Sequence, residues 1–334
     1  MIFKKWIDLI NEFEKFGGIA KNVYQKIGIN GRGLFPIDEK KKTKIFTPKS
    51  LFIPEDCLKL TNYEIMVTSN SPFKNETIEF FNYYYKDFSW GNGGKESVEI
   101  FESNLKDLPA SIKNILDKNK IINFEKRHHG DWREVIFRRF ISTRAFNIGN
   151  QRYLIPIAEL VNHDTKSLPF NINAFGINTE TKNSSPNEIT NQYTFSSPIN
   201  MFLKYGIISE IPVCYSIPFE INLPEVSLKL ICTGKSLLND KKLIKRNKNK
   251  FIFLGLPIGC LSNQNLARNY FLDLIKNLNF NKKFSLDLFK KIIQINLVKR
   301  NQMINVLNQN ELQISKNLIK IFQDEISMIK NSIF

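Results

Sequence analysis

The chain has 334 residues, of which 42% are hydrophobic and 12% aromatic. A chain of this length and apolar content can bury the core of one large or two modest domains, which excludes a wholly disordered protein. Its 48 lysines and arginines exceed its 32 acidic residues, and the formal net charge of +16 suits an acidic partner such as nucleic acid, an anionic membrane or an acidic protein surface.

The chain is predicted to open with a helix and to continue in short strands. Trp6, Leu9 and Phe13 fall on one helix face, which predicts an amphipathic helix. Gly17 follows where this helix would end. Residues 19–53 alternate short apolar runs with glycine and proline, a pattern typical of strands and turns.

Three helices are predicted in the middle of the chain, at residues 76–84, 95–104 and 111–119. An aromatic run from Phe80 to Trp90 accompanies the first of them. Aromatic rings can stack bases, but packing between helices is the interpretation that we favour for this run.

A further helix is predicted from residue 131 to 146, and short strands then alternate with turns as far as about residue 230. Residues 182–191 are predicted to form a loop. The basic segment 235–250 is interpreted as a solvated linker or helix face in preference to a nucleic-acid-binding arm.

The remainder of the chain is predicted to be helical. One helix spans residues 263–278, and another has Ser285 as its N-cap. The final helix carries an apolar stripe that predicts packing on neighbouring helices. The stripe consists of Ile319, Phe322, Ile326, Ile329 and Ile333.

The order of these elements predicts an α+β protein: short strands, a helical insert, more strands and a helical tail. We expect a first domain at residues 1–225, interrupted by a helical insert at about residues 55–131. An all-helical second domain is expected at residues 226–334.

The composition gives no indication of metal, disulfide or membrane chemistry. The four cysteines form no CxxC pair, which argues against a zinc ribbon and against a disulfide framework, so a reducing compartment is expected. No uncharged run reaches the length of about 18 residues that a membrane span requires. We therefore expect a cytoplasmic protein that binds neither metal nor membrane.

Three separated segments combine residue types that suggest chemistry. The first is Asn30-Gly31-Arg32-Gly33-Leu34, where glycine permits positive φ or a close approach to a ligand. The second joins Thr143-Arg144-Ala145-Phe146 to Pro156-Ile157-Ala158-Glu159-Leu160-Val161-Asn162-His163, an apolar run that ends in polar side chains. The third extends from Tyr193 to Tyr205-Gly206. Each segment also has an ordinary structural interpretation as a hairpin turn or a hydrogen-bonded network.

In this order and spacing, the three segments resemble the SET-domain protein lysine methyltransferases, in particular the branch typified by the Rubisco large-subunit methyltransferase. The motif-level match covers residues 19–53 and 133–221. The resemblance implies a SET-domain β fold with a helical insert and a C-terminal helical domain. It also implies S-adenosylmethionine (AdoMet) as cofactor, S-adenosylhomocysteine (AdoHcy) as product, and a protein substrate.

The resemblance implies roles for individual side chains. Arg144 would meet the cofactor carboxylate, and Tyr205 and Tyr215 would be the catalytic tyrosines. Thr143, Glu159 and Tyr215 would contact the substrate lysine. The implied cofactor-binding set is Asn30, Gly31, Arg32, Gly33, Arg144, Asn162, His163 and Tyr205.

Three alternatives stay open at this point. The protein could be a catalytically inactive SET-fold module that holds an acidic partner, it could methylate a histidine of its target instead of a lysine, or its basic segment 235–250 could bind nucleic acid. Nucleic acid is not the expected partner, because the motifs indicate a catalytic channel. If the charge of +16 is functional, it would steer an acidic target protein.

Overall fold

A computed structural model of the protein describes residues 2–28, 31–68, 70–180, 188–193, 196–208, 210–224, 227–234, 244–247, 249–263 and 265–332. The α+β class predicted from the sequence is confirmed. The helices are α1 (Ile2–Lys15), α2 (Asn75–Asp87), α3 (Lys95–Lys106), α4 (Ala110–Lys118), α5 (Phe124–Arg127), α6 (Trp132–Arg144), α7 (Pro198–Tyr205), α8 (Leu266–Ile275), α9 (Lys282–Leu307) and α10 (Gln313–Asn331). The strands are β1 (Ile19–Lys21), β2 (Val23–Gly28), β3 (Gly31–Pro36), β4 (Lys44–Pro48), β5 (Ile53–Pro54), β6 (Leu58–Thr61), β7 (Glu64–Val67), β8 (Phe146–Ile148), β9 (Gln151–Leu154), β10 (Asn162–His163), β11 (Asn171–Ile172), β12 (Gly176–Glu180), β13 (Thr190–Asn191), β14 (Val213–Tyr215), β15 (Phe219–Leu223), β16 (Leu228–Cys232), β17 (Ile244–Asn247), β18 (Lys250–Phe253) and β19 (Pro257–Cys260).

The chain divides into two compact units. The first unit comprises Met1–Glu102 and Gly130–Thr194, and the second comprises Ser103–His129 and Phe195–Phe334. Each unit has a hydrophobic core of its own. The domains that we expected at residues 1–225 and 226–334 stay a prediction, since compactness alone does not define a functional domain.

Small antiparallel sheets build the first unit. One has the strand order β1-β4-β12-β11, a second is the β2–β3 hairpin, and a third has the order β5-β9-β8. The short strand β10 pairs in parallel with β13, which places Asn162 opposite Thr190 and His163 opposite Asn191. Parallel neighbours need a crossover, and here the connection between β10 and β13 contains β11 and β12.

The apolar pattern of α1 and α2 produces the core of the first unit. Trp6, Leu9 and Phe13 are at most 2% exposed, as the spacing in the sequence predicts. In α2 the buried aromatic residues include Phe81 and Tyr84, both fully buried. The packing interpretation of the aromatic run is therefore confirmed, because these side chains form part of the core and are inaccessible to bases.

The second unit combines a sheet with long helices. Its four-stranded sheet has the order β15-β16-β18-β17, and β14 pairs with β19. Core side chains from these strands, including Leu230 and Phe253, lie in one cluster with Phe271 of α8 and Ile292 of α9. Helix α9 begins at Lys282 with Asn281 as its cap, whose side chain accepts a hydrogen bond from the Phe284 amide at 2.8 Å.

The expectation of an all-helical domain from residue 226 onward is wrong. Strands β16 to β19 lie within residues 228–260, because alternating side chains of β16 and β18 bury one face of the sheet. The part of the basic segment that the structure describes includes β17, where a linker or helix face was expected. Residues 235–243 of that segment, and Ile333 of the final apolar stripe, lie outside the described residues.

Other predictions differ in detail. The predicted helical insert starts with the hairpin β6–β7, and the predicted loop at residues 182–191 contains β13, although residues 181–187 lie outside the description. The predicted N-cap Ser285 is a buried residue inside α9. A cap is set by local backbone geometry, and Asn281 supplies an equally good acceptor one turn earlier.

Candidate functional site

The two glycines of β3, Gly31 and Gly33, differ in backbone conformation and in the space around them. Gly31 has φ of +83°, and a Cβ built on it would meet nothing within 4 Å, so its backbone conformation favours glycine. A Cβ on Gly33 would overlap the carboxylate of Glu188 and would lie 2.8 Å from Asn162 Nδ2, so a larger residue there would displace these side chains. Asn30, which precedes them, lies outside the described residues.

Arg32 connects β3 to the turn that follows α2. Its Nη1 donates to the carbonyl oxygen of Asn92 at 2.6 Å and to that of Ser89. Its own carbonyl oxygen accepts from Asn162 Nδ2 at 2.9 Å. Burial, helped by the positive charge of Arg144, lowers the pKa of Arg32 to about 10.

Arg144 is the last residue of α6. Its Nη1 donates to Thr143 Oγ1 at 3.0 Å, and its guanidinium carbon lies 4.2 Å from the centre of the Phe140 ring. Thr143 Oγ1 in turn donates to the Phe140 carbonyl oxygen at 2.8 Å. Burial lowers the pKa of Arg144, and the charge of Glu159 opposes that shift.

Glu159 is a buried carboxylate on the short helical turn Ala158–Leu160, with 7% of its surface exposed. One of its oxygens, Oε1, accepts hydrogen bonds from Tyr84 Oη at 2.9 Å and from Ser89 Oγ at 2.5 Å. The other, Oε2, has no hydrogen-bond partner among the residues that the structure describes. Burial raises the pKa of Glu159, although Arg144 and these hydrogen bonds oppose the rise.

The turn that presents Glu159 starts from an unusual backbone conformation. Ile157 has φ of +67°, which is rare for a β-branched residue. Its amide donates to Tyr84 Oη at 3.2 Å, so one phenol holds both the strained peptide and the carboxylate of Glu159. Strain of this kind persists only where the surroundings hold it in place.

Strand β10 supplies Asn162 and His163. Asn162 Nδ2 donates to the Arg32 carbonyl oxygen and also to Glu188 Oε1. His163 Nδ1 accepts from the Tyr193 amide at 3.0 Å, so the neutral ring carries its proton on Nε2. This buried Nε2 has no hydrogen-bond partner within the described part of the chain. Burial lowers the pKa of His163 and keeps the ring neutral.

The first unit thus brings together most of the residues that the sequence motifs indicated. Direct hydrogen bonds join Arg32 to Asn162 and Thr143 to Arg144, and Ser89 bonds both to Arg32 and to Glu159. The motifs are far apart in sequence, since the partners of the Arg32–Asn162 bond are 130 positions apart.

Sequence reasoning missed three members of this cluster. The aromatic pattern predicts Tyr84 only as a packing residue, and Tyr84 does lie in the core. Its hydroxyl also donates a hydrogen bond to Glu159. Ser89 and Glu188 carry no motif that distinguishes them in the sequence. Their contacts depend on partners 70 and 26 residues away, so no local pattern could have found them.

The tyrosines that the sequence analysis indicated, Tyr193, Tyr205 and Tyr215, lie in different parts of the chain. Tyr193 belongs to the first unit, donates to the Val161 carbonyl oxygen at 2.5 Å and packs its ring 5.2 Å from that of His163. Tyr205 and Tyr215 belong to the second unit. Tyr205 ends α7, and Gly206 with φ of +72° caps that helix. Their predicted catalytic and lysine-contacting roles stay predictions.

Tyr215 is 3% exposed, and its hydroxyl has no hydrogen-bond partner in the described structure. Burial raises the pKa of Tyr215 well above its ordinary value, and nearby Tyr270 adds to the shift. The hydroxyl therefore stays protonated and is available as a donor.

Neither a metal-binding group of side chains nor a membrane-spanning helix is found among the described residues. No group of three or more His, Cys, Asp or Glu side chains is arranged to hold a metal ion. No described helix combines the length and the apolar character that a membrane crossing needs.

Comparison with known proteins gave matches only among solved structures. No protein-family model matches the sequence, and no curated protein matches it. The structure is similar to the SET domain of LSMT bound to lysine and AdoHcy, with 13% identity, a TM-score of 0.47, and coverage of 98% of this chain and 90% of that chain.

Two further structures give nearly the same values. Rubisco LSMT bound to AdoMet is 14% identical with a TM-score of 0.48, and the match covers 98% of this chain and 90% of the other. Rubisco LSMT bound to sinefungin and monomethyllysine is 14% identical with a TM-score of 0.48, covering 98% and 89%.

Proposed function

We propose that the protein is an AdoMet-dependent methyltransferase that transfers a methyl group to the side-chain amine of a lysine in a protein substrate. One observation carries the proposal. Arg32 of the first motif accepts a hydrogen bond at its carbonyl oxygen from Asn162 of the second, beside a glycine whose side-chain position is taken by polar groups, and the charge of Arg144 acts on the Arg32 guanidinium.

The residues of this cluster fit the chemistry of AdoMet. The cofactor carries a carboxylate, which suits the forked donors of Arg32 and Arg144. His163 has a buried ring nitrogen that lacks a partner in the described structure, and a ligand acceptor would satisfy it. We therefore assign Arg32, Gly33, Arg144, Asn162 and His163 as the described residues that would hold the cofactor.

The same cluster suits a lysine amine. Bound AdoMet would supply an activated methyl group, and the amine must be neutral to accept it. Burial beside the guanidinium groups of Arg32 and Arg144 would lower the pKa of that amine. Glu159 Oε2 is a buried acceptor that could hold an amine hydrogen, and Thr143 Oγ1 is a second polar group beside Arg144.

The sequence resemblance supplies the catalytic tyrosines. We propose that the hydroxyl oxygen of Tyr205 faces the reacting methyl group and that Tyr215, whose aromatic ring is buried, excludes water. AdoHcy would be the second product, and no metal takes part in the proposed reaction. The predicted cytoplasmic location and the acidity of the target stay predictions.

Calorimetric titration with AdoMet, followed by incubation of a lysate with methyl-labelled AdoMet and mass spectrometry, tests the proposal. We expect AdoMet binding and labelled lysine in a protein. Binding without transfer would favour the inactive binding module, and labelled histidine would favour the histidine methyltransferase. A folded protein that binds no AdoMet would refute the proposal.

A further inference from the structure

The carboxylate of Glu188 lies against the bare α-carbon of Gly33. A Cβ at position 33 would overlap Glu188 Oε1, and the same oxygen accepts a hydrogen bond from Asn162 Nδ2. A side chain at position 33 would therefore push this carboxylate away. The glycine of the motif leaves room for an acid that lies far from it in sequence.

The hydrogen bonds of Asn162 determine what this place can bind. Its Nδ2 has two hydrogens, and Arg32 O and Glu188 Oε1 take one each. Asn162 then offers its amide oxygen, an acceptor, to any further partner. A carboxylate has about four acceptor positions, so Glu188 can take another donor besides Asn162.

The two ends of Arg32 have different partners. Its guanidinium lies in the turn at Ser89 and Asn92, while its carbonyl oxygen belongs to the acceptor group formed with Asn162 and Glu188. An ammonium group would find acceptors in this group, and a carboxylate would find a forked donor in a guanidinium. An α-amino acid carries a carboxylate and an ammonium group on one carbon, and AdoMet ends in one.

We infer that Glu188 binds the α-ammonium group of the cofactor and makes the site selective for nucleosides that carry this group. The inference rests on the proposed function. It adds a binding residue that none of the sequence motifs contains. It also explains why position 33 is glycine although its backbone does not require one.

Calorimetry with two probes tests this inference. The first probe is AdoHcy, and the second is the analogue of AdoHcy that keeps the carboxylate but lacks the α-amino group. We expect wild-type protein to bind AdoHcy about 10- to 100-fold more tightly than the analogue, the range for a hydrogen bond to a charged group. Glu188→Gln should weaken AdoHcy binding by this factor and leave the analogue within about twofold.

Glu39→Gln is the matched control, since it removes the same charge from an exposed position of the first unit. It should change neither affinity. If Glu188→Gln does not fold, Gly33→Ala replaces it, because it displaces the carboxylate without removing it. A circular dichroism melting curve establishes whether each variant is folded.

The outcomes separate this inference from the proposed function. If Glu188→Gln weakens the binding of both probes equally, Glu188 only positions Asn162 and the inference fails. Unchanged AdoHcy affinity in this variant would also overturn the inference. A wild-type protein that binds both probes equally would overturn it as well. A folded wild-type protein that binds neither probe would instead refute the proposed function.

Discussion

At the scale of single residues, the candidate site depends on buried polar groups whose partners are incomplete. Glu159 Oε2, His163 Nε2 and the Tyr215 hydroxyl are all buried without a hydrogen-bond partner among the described residues. An unsatisfied buried polar group costs about 1–3 kcal/mol, so each needs a physical reason, and a bound ligand is one. Glu159 acts on the charge of Arg32, and His163 follows Asn162 in β10, so a ligand at this place could satisfy both. Further atoms of this kind lie in Ser71, Tyr85, Thr179 and Asn191.

The two motif glycines should respond differently to alanine. We expect Gly33→Ala to weaken AdoHcy binding at least about tenfold, because its Cβ would displace Glu188 and disturb Asn162. Gly31→Ala should destabilise the fold by about 1–2 kcal/mol through its positive φ, with little change in binding. Urea unfolding and calorimetry on both variants measure the two effects, and equal responses would contradict this assignment.

Tyr205→Phe isolates the proposed catalytic hydroxyl. We expect the substitution to reduce methyl transfer at least about 100-fold, typical for loss of a positioned group that stabilises charge in the transition state. AdoMet affinity should stay within about twofold, because the ring remains. Single-turnover transfer and calorimetry give the two values. Unchanged transfer would mean that another tyrosine has this role.

His163 should make stability depend on pH. Its ordinary pKa is 6.5, and burial lowers the pKa in the folded state, so between these two values the unfolded chain binds more protons. The contribution of His163 to the free energy of unfolding is complete above pH 6.5 and is lost as the pH falls toward the folded-state pKa.

The measurement for His163 is urea unfolding at several pH values. Between about pH 7 and about pH 5, wild-type protein should lose more unfolding free energy than His163→Gln, by up to about 1.4 kcal/mol per pH unit. Parallel curves for the two proteins would show that the folded state does not lower the pKa of this ring.

At the scale of secondary-structure elements, a buried polar network holds the second unit together. Arg300 of α9 and Glu325 of α10 are both fully buried and form an ion pair of 2.8 Å. Glu325 also accepts from the amide of Ile199 in α7, and Arg300 donates to the carbonyl oxygen of Tyr215 in β14 at 2.9 Å. The pair therefore joins the interiors of α9 and α10 to the start of α7 and to the end of β14, the strand that carries a proposed site residue.

Removal of one partner of this pair should be costly. We expect Arg300→Met to destabilise the protein by about 3–5 kcal/mol, because it leaves the Glu325 charge buried and unpaired. The double variant Arg300→Met, Glu325→Leu should recover most of that loss, since apolar side chains of similar volume can replace a buried ion pair. Urea unfolding of the single and double variants provides the test, and additive losses would contradict it.

Elements with regular local patterns could be predicted from the sequence, whereas short strands could not. The stripe of Trp6, Leu9 and Phe13 predicts α1 correctly, because a helical period is written in consecutive residues. Strands β16 to β19 were missed because each is only four or five residues long. Their pairing depends on partners elsewhere in the chain, and a basic segment among them obscured the alternation.

For the molecule as a whole, the net charge of +16 has no part in the proposed chemistry, and a role for it would lie in the approach of a partner. A positively charged molecule of this kind would attract an acidic target protein at long range.

Salt should reveal whether the charge steers the target. If it does, transfer to the protein substrate should slow at least about tenfold when ionic strength rises from about 0.01 M to about 0.15 M, since the screening length shortens. Transfer to a short neutral lysine peptide should change little over this range, which provides the control. Equal salt responses for both substrates would indicate that the excess of lysine is only compositional.

Local patterns in the sequence were enough to predict the α+β class and the longer helices, since a helical period is written in consecutive residues. The acid that meets Asn162 and the carboxylate that neutralises Arg300 could be identified only from the folded chain. These pairs join residues 26 and 25 positions apart, so their choice depends on how the chain packs. The contact between the Gly33 α-carbon and Glu188 depends on packing in the same way.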